Sequence, residues 1–251
     1  MQPNLHDLTG RRALVTGGSR GLGRAMVLAF AQHGADVVIS SRKLDACEAL
    51  AKEVEQQFDR RALPIACNVS SWTECDQLVD NVNEAWGGVD ILVNNAGMSP
   101  LYPSVDAITE ELFDKVIAVN LKGPFRLMAR VGSEMASRGG GSIVNVSSIA
   151  ARRPTLDVVP YAAAKAALNN MTESMAAALG PAVRVNTIMP GRFDTDIAAH
   201  WDPEMVAQDV SRHALRRVGR PDEIVGAALY FASDASSFCT GSVLALDGGV
   251  P

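Results

Sequence analysis

Seven short apolar runs alternate with longer segments of helical period, and this alternation restricts the possible folds more than any other feature of the chain. The runs are Arg12–Thr16, Asp36–Ser40, Leu63–Ala66, Val89–Val93, Ser142–Val146, Val183–Ile188 and Ser242–Leu246. They are nearly continuously apolar and rich in β-branched residues, as strands buried on both faces of a parallel sheet must be. Between them apolar residues recur at three and four. Leu22, Ala25, Met26, Ala29 and Phe30 form one such stripe, Leu44, Cys47, Leu50, Ala51, Val54 and Phe58 a second, and Cys75, Leu78, Val79 and Val82 a third. That period marks helices with one buried face. Strand–helix alternation at this spacing implies right-handed βαβ units, hence an α/β, doubly wound parallel sheet of seven strands flanked by helices. The 251 residues, 47% of them hydrophobic, suffice for one large core. No Pro/Ser-rich linker, repeat or low-complexity tract divides them, so residues 1–251 read as a single domain. Residues 192–220 contain no strand-like run and mix apolar with charged side chains. They are expected to form a substrate lid inserted before the last helix and strand.

Several function classes are disfavoured. Lys+Arg total 23 against Asp+Glu 28, a formal net charge of −5, which suits a phosphate backbone poorly; nucleic acid is not an expected partner. No run of about 18 apolar residues occurs, so no membrane span is expected. Met1–Arg12 is polar and lacks the apolar stretch of a signal peptide. Cys47, Cys67, Cys75 and Cys239 show no Cys-x-x-Cys spacing, which points away from a zinc or redox pair and toward a reducing compartment; a cytoplasmic protein is expected. His6, His33, His200 and His213 fit no metal-ligand or hydrolase-triad spacing, so no metal is expected.

The first apolar run leads into Thr16-Gly17-Gly18-Ser19-Arg20-Gly21-Leu22-Gly23, which opens the first helix. Glycines at 17, 21 and 23 permit a tight turn and a close approach of pyrophosphate to the backbone. The helix N-terminus adds N–H donors and a partial positive charge. The spacing is neither G-x-G-x-x-G nor a Walker loop, because no Gly-Lys-Ser/Thr follows. Further along, Tyr161 and Lys165 lie four apart and so share a helical face. A phenol has a pKa near ~10 and needs a neighbouring cation to act as acid and base at neutral pH, which Lys165 can supply. Ser148 can hydrogen-bond the same reacting oxygen. Taken alone, each has a plainer reading: Tyr161 and Lys165 as an ordinary amphipathic face, Ser148 as a turn cap, Asn120 as a helix-end residue.

Together the motifs resemble the short-chain dehydrogenase/reductase family along essentially the whole chain. They run in order: the Gly17–Gly23 turn, Asn94-Asn95-Ala96-Gly97 after the fourth strand, Asn120, Ser148 at the end of the fifth strand, Tyr161-x-x-x-Lys165, Pro190-Gly191 after the sixth strand, and Leu246-Asp247-Gly248-Gly249. The resemblance implies a Rossmann-type domain and a nicotinamide-dependent oxidoreductase interconverting a ketone and a secondary alcohol. It implies that Asn120, Ser148, Tyr161 and Lys165 are catalytic, with Lys165 also binding the nicotinamide ribose and Asn120 holding a water that links Lys165 to solvent. It further implies that the cofactor runs along Gly17, Ser19, Arg20, Gly21, Leu22 and Gly23, then Ser41 and Arg42, then Asn68 and Val69. Beyond these it would meet Asn94, Ala96 and Gly97, Tyr161 and Lys165, and finally Pro190, Gly191 and Thr195.

In the family the residue ending the second strand reads the adenosine ribose, and a carboxylate there favours NAD. This chain has Ser40-Ser41-Arg42-Lys43, with no carboxylate before Asp45. Arg20 and Arg42 offer a 2′-phosphate two guanidinium forks, so NADP(H) is expected over NAD(H), although Arg42 and Lys43 also read as solvated helix-start charges. Asn68 stands where the family commonly has Asp, and little follows from the exchange. Met98, Ile149, Ala150, Met189, Phe193, Trp201 and Met205 suggest a partly apolar substrate pocket, or simply core. Arg152, Arg153 and Arg192 suit a substrate carboxylate or phosphate, and Arg138 with Arg152 and Arg153 an acyl carrier protein. The substrate class stays open between an acyl-carrier-protein ketone, a sugar or polyol, and others. A sensor without chemistry, and a hydro-lyase or isomerase on the same fold, are the competing functions. The segments 121–137 and 161–179 carry apolar residues on more than one face (Ala129, Val131, Ala136, Ala163, Ala167, Met171, Met175), so a homo-oligomer, a tetramer or a dimer, is expected.

Overall fold

The computed structural model of the chain describes residues 4–195 and 203–251. Seven strands form one parallel sheet: β1 (Arg12–Thr16), β2 (Asp36–Ser41), β3 (Ala62–Ala66), β4 (Ile91–Asn94), β5 (Gly141–Val146), β6 (Val183–Pro190) and β7 (Val243–Leu246). Their order is β3-β2-β1-β4-β5-β6-β7. The helices are α1 (Gly21–Gln32), α2 (Leu44–Phe58), α3 (Trp72–Trp86), α4 (Glu110–Ile117), α5 (Gly123–Ser137), α6 (Val159–Leu179), α7 (Pro203–Val210) and α8 (Val225–Ala232). The architecture is the doubly wound parallel sheet that the strand–helix alternation implies.

Alternate residues of each strand enter opposite cores. Ala13 and Val15 pack with Val37, Ile39, Ile91 and Val93 against α1, α2 and α8, through Phe30, Leu50 and Phe231. Leu14, one residue away, packs with Val38, Leu92 and Ile143 against α3, α5 and α6, through Leu78, Leu127 and Leu168. This two-sided burial is why the strands read as continuous apolar runs and not as alternating ones. The chain leaves β1 toward β2 and β3, then returns to β4 on the other side of β1. The crevice at the C-terminal ends of β1 and β4 is therefore the switch point at which such sheets bind ligands.

Several boundaries differ from the sequence expectation. β3 starts one residue earlier, at Ala62, and β6 runs on to Pro190. β4 starts at Ile91 and β7 at Val243. Asp90, just before β4, accepts from the Arg12 backbone N–H at 2.8 Å through its carboxylate. The described residues of 192–220 form no strand, but an isolated parallel bridge joins Phe193 and Gly219. It is reinforced by Asp194 N–H donating to Gly219 O at 2.8 Å and Gly219 N–H donating to Arg192 O at 2.9 Å. The two ends of the segment are thus clamped together, with α7 between them. Trp201 lies outside the described residues.

Candidate active site and cofactor crevice

The glycine turn is shaped by contacts that leave no room for side chains. Gly17 and Gly21 have φ of +62° and +53°, the left-handed region that glycine tolerates best. A Cβ on Gly23 would collide with the Gly17 carbonyl oxygen and the Asn95 amide. A Cβ on Gly21 would stand 3.5 Å from Thr195 Cγ2, which brings the chain after β6 to the turn. The N-cap of α1 is Arg20, whose side chain supplies no acceptor to the first-turn N–H groups. A close-packed glycine turn at a helix N-terminus, where a helix leaves its first N–H groups without intrahelical partners, fits a pyrophosphate.

Asn95 and Thr16 hold this cradle, and sequence reasoning gave neither a role. Asn95 Nδ2 donates to Thr16 O at 2.9 Å and Gly17 O at 3.1 Å. Thr16 Oγ1 accepts from Asn95 N at 3.1 Å and Ala96 N at 3.2 Å. Asn95 sits inside the quoted Asn94–Gly97 motif, so a signal existed, but the spacing did not say which Asn faces the turn. Asn94 faces inward: it is buried and donates to Asn145 Oδ1 at 2.9 Å. Asn145 in turn donates to Thr172 at 2.9 Å, and Thr172 shares a hydrogen bond with Thr187 at 2.7 Å. The Asn94 side chain is committed to that buried network.

Tyr161 and Lys165 lie in the first two turns of α6. Lys165 Nζ is 5.7 Å from the centre of the Tyr161 ring and donates to Val146 O, at the end of β5, at 2.7 Å. Burial lowers the Lys165 pKa to about 8. Burial also raises the Tyr161 phenol, and the nearby Ser148 partly offsets the rise. At the phenol burial is the dominant influence, and the ammonium donates to Val146 O. Ser148 lies two residues beyond the last residue of β5, where its Oγ accepts from Ala150 N–H at 3.2 Å and caps a short 3₁₀ turn over Ile149–Ala151. Ser147 Oγ, donating to Lys165 O at 3.2 Å, ties the end of β5 to α6.

Asn120 is in mid-helix, inside a π-helical stretch Ala118–Lys122 that joins α4 to α5, and not at a helix end. Such bulges often mark functional positions. Its Nδ2 donates to Met98 O and Val116 O, both at 2.9 Å, and its Oδ1 accepts from Met98 N at 3.3 Å. Gly97 lies between the two polar groups: a Cβ there would be 3.1 Å from Asn120 Oδ1 and 3.6 Å from Lys165 Nζ. Asn120, Ser148, Tyr161 and Lys165 are thereby gathered at the C-terminal end of the sheet.

The remaining expected cofactor positions ring the crevice. A Cβ on Gly123 would collide with the Val69 carbonyl, so the start of α5 seats directly against Val69. Asn68 makes an Asx turn: its Oδ1 accepts from Ser70 N at 3.2 Å and from Ser70 Oγ at 2.9 Å. Ser41 ends β2, and its Oγ accepts from Lys43 N at 3.3 Å and lies 3.1 Å from Cys47 Sγ. Arg42 and Asp45 are both exposed there. Ser19, Leu22 and Ala96 are partly exposed around the turn, and Pro190 closes β6 just before Gly191.

The apolar pocket expected from sequence is smaller than its residues suggested. Met189 and Phe193 are core, 0% and 6% exposed, with Phe193 packed against the α1 side of the sheet. Met205 is 68% exposed. Arg192 is paired: its Nε lies 2.5 Å from Asp209 of α7. Ile149, Arg152, Arg153, Asp247 and Val250 line a separate cavity between the Ser148 turn and the C-terminal segment. Val131 belongs to the α3/α5/α6 core, and Met171 and Met175 pack against it, so those three do not form a free face. Among the described residues no helix is long and apolar enough to cross a membrane.

A glycine cradle at the switch point, with Ser148, Tyr161 and a buried Lys165 beside it, defines a dinucleotide-dependent oxidoreductase. A family model described as enoyl-(acyl carrier protein) reductase matches residues 17–251. The chain is 36% identical to a 3-oxoacyl-[acyl-carrier-protein] reductase of Thermotoga maritima, over 97% of this chain and 98% of the other. It superposes on a 7α-hydroxysteroid dehydrogenase complexed with NADH and 7-oxo glycochenodeoxycholic acid with a TM-score of 0.93. The two are 34% identical over 98% of this chain and 96% of that one. A 3-oxoacyl (acyl-carrier-protein) reductase from Agrobacterium tumefaciens with NADP bound gives a TM-score of 0.92 at 35% identity, over 99% and 97% of the two chains. The chain belongs to the short-chain dehydrogenase/reductase family and is an oxidoreductase that uses a nicotinamide cofactor.

Proposed function

We propose that the chain is an NADP(H)-dependent enzyme that interconverts a ketone and a secondary alcohol. The observation that carries this is the gathering of Ser148, Tyr161 and the buried Lys165 ammonium, 5.7 Å from the Tyr161 ring, beside the glycine cradle at the C-terminal end of the sheet. When bound, the cofactor supplies or accepts the hydride. Ser148 donates to the carbonyl oxygen and holds it near the phenol. Tyr161, kept protonated at neutral pH by burial, gives its proton to that oxygen as negative charge develops. Lys165 lies close enough for its charge to lower the cost of the phenolate left behind. Asn120, held in the π bulge, presents Oδ1 on the side of Gly97 that Lys165 Nζ shares, a position suited to holding a water that links Lys165 to solvent. The cofactor-binding roles go to the Gly17–Gly23 turn, Ser41 and Arg42, Asn68 and Val69, Ala96 and Gly97, and the Pro190–Thr195 stretch. Asn94 acts through the backbone and the buried network. Residues 192–220 serve as a substrate lid, clamped at Phe193 and Gly219.

Of the similar structures, one is complexed with NADH and another has NADP bound, so likeness does not choose between them. The end of β2 favours NADP(H): it presents a small Ser41 and an exposed Arg42 and no carboxylate. A sensor without chemistry is disfavoured because it needs no buried proton donor. The test is a panel of prochiral ketones and secondary alcohols assayed by nicotinamide absorbance with NADPH and NADP. Stoichiometric consumption or formation of NADPH is expected. Product formation without any such change would instead assign a hydro-lyase or isomerase.

The reading includes a cytoplasmic homotetramer, in keeping with four free cysteines. Phe113 of α4, Phe125 of α5 and Trp72 of α3 are each more than a third exposed, and the Trp72 and Phe125 rings lie 6.1 Å apart. An exposed aromatic face of this kind favours burial between subunits. Light scattering at micromolar concentration should give about four times the 26.6 kDa of one chain. A monomeric mass would remove the assembly from this reading.

A further inference from the structure

Helix α6 carries both Tyr161 and Lys165, yet its own sequence provides poorly for its start. The N-cap residue is Val158, which has no side-chain acceptor. Pro160 lacks an N–H and needs no partner, but the Val159 N–H is one of the donors that a helix leaves unsatisfied. Its partner comes from 57 residues away: the Tyr102 hydroxyl accepts from Val159 N–H at 2.7 Å. The same hydroxyl donates to Leu156 O at 2.9 Å. One phenol thus fixes both sides of the bend that enters α6, in a stretch that is otherwise exposed, with Leu156 at 86%. The Tyr102 ring lines a crevice with Pro100, Leu112, Pro160 and Tyr161 itself.

The loop that bears Tyr102 is tied to the rest of the site. It leaves β4 through the Asn95–Gly97 turn, and its Met98 is hydrogen-bonded in both directions to Asn120. It therefore runs from the cofactor cradle, past Asn120, to the N-terminus of the helix that holds Tyr161. We propose that Tyr102 is a positioning residue, whose hydroxyl caps α6 from outside and fixes the place of Tyr161 beside Lys165. This rests on the reading of Tyr161 as the proton donor. A small displacement of a reacting group, on the order of 1 Å, can cost ~10²-fold in rate.

Tyr102→Phe keeps the ring and removes only the hydroxyl. It should lower kcat about tenfold, leave the ketone KM and the NADPH Kd within about twofold, and speed amide exchange in the first turn of α6. Turnover, NADPH titration and peptide-resolved hydrogen exchange should be run beside Tyr161→Phe. Turnover undiminished in Tyr161→Phe would sink the proton-donor reading itself. With Tyr161→Phe inactive, the positioning role fails if Tyr102→Phe keeps a wild-type kcat, even with a lowered Tm. It also fails if the loss appears in KM alone, or if exchange over Val159–Lys165 is unchanged.

Discussion

Replacing Tyr161 with phenylalanine should reduce turnover by ~10²–10⁴-fold, the usual contribution of a positioned acid or base, with NADPH affinity nearly unchanged. The ring remains packed beside Ser148 and Pro160, so the loss isolates the proton. Lys165→Ala should cost both turnover and cofactor affinity, since it removes the cation and, on the family's pattern, a ribose contact. The pH dependence follows from the two buried groups. Burial keeps the Tyr161 phenol protonated above its ordinary range, the form needed to reduce a ketone. Burial lowers Lys165 to about 8, so its positive charge is lost as pH rises through that value. Ketone reduction should accordingly decline above about pH 8, while alcohol oxidation, which needs the phenolate, should rise with pH. Rates measured in both directions from pH 6 to 10, in the parent and in Tyr161→Phe, test this. A reductive rate still climbing past pH 9 would contradict the role given to Lys165.

The sheet was legible in the sequence because both of its faces are buried. Leu14 and Val15 enter different cores, so neither position tolerates a polar residue and the run is continuous. The pairing of Tyr161 with Lys165 was legible because four residues bring them to one face of α6, whereas Ser148 and Asn120 entered only through the family resemblance. What the sequence did not convey depends on partners far along the chain. Asn94 and Asn95 are adjacent and chemically identical, and only the Thr16–Gly17 carbonyls, nearly eighty positions away, make Asn95 the cradle residue. Met189 and Phe193 look like pocket lining because an apolar residue after a strand reads the same whether it meets substrate or core. Arg192 looked available for a substrate anion until α7 brought Asp209 to it. Tyr102 offered no motif at all: its role exists only where the bend into α6 folds back over it. The π bulge at Asn120 was invisible for a related reason, since the flanking periodicity is helical throughout.

Cofactor choice should be reversed by a single residue at the end of β2. Ser41 is small, and its hydroxyl is occupied locally by Lys43 N–H and Cys47, so it neither reads a free 2′-hydroxyl strongly nor obstructs a 2′-phosphate. Arg42 is exposed next to it and Arg20 is exposed at the glycine turn. A well-placed charge-assisted hydrogen bond contributes ~1.5–3 kcal/mol, less where water competes. Two partly solvated ones together give about 2–4 kcal/mol, a ~30–1,000-fold preference for NADP(H). Arg42→Ala should lose part of that preference through weaker NADP(H) binding, with NAD(H) little changed. Ser41→Asp should go further. Its carboxylate can still accept from Lys43 N–H and can take a hydrogen bond from an unmodified 2′-hydroxyl, but it repels a phosphate dianion at the same place. The decisive quantity is kcat/KM for each cofactor in the three proteins, measured at fixed ionic strength because a guanidinium–phosphate contact at an exposed rim is screened by salt. A parent enzyme that prefers NAD(H), or a cofactor ratio unmoved by Ser41→Asp, would mean that the end of β2 does not read the ribose in this protein.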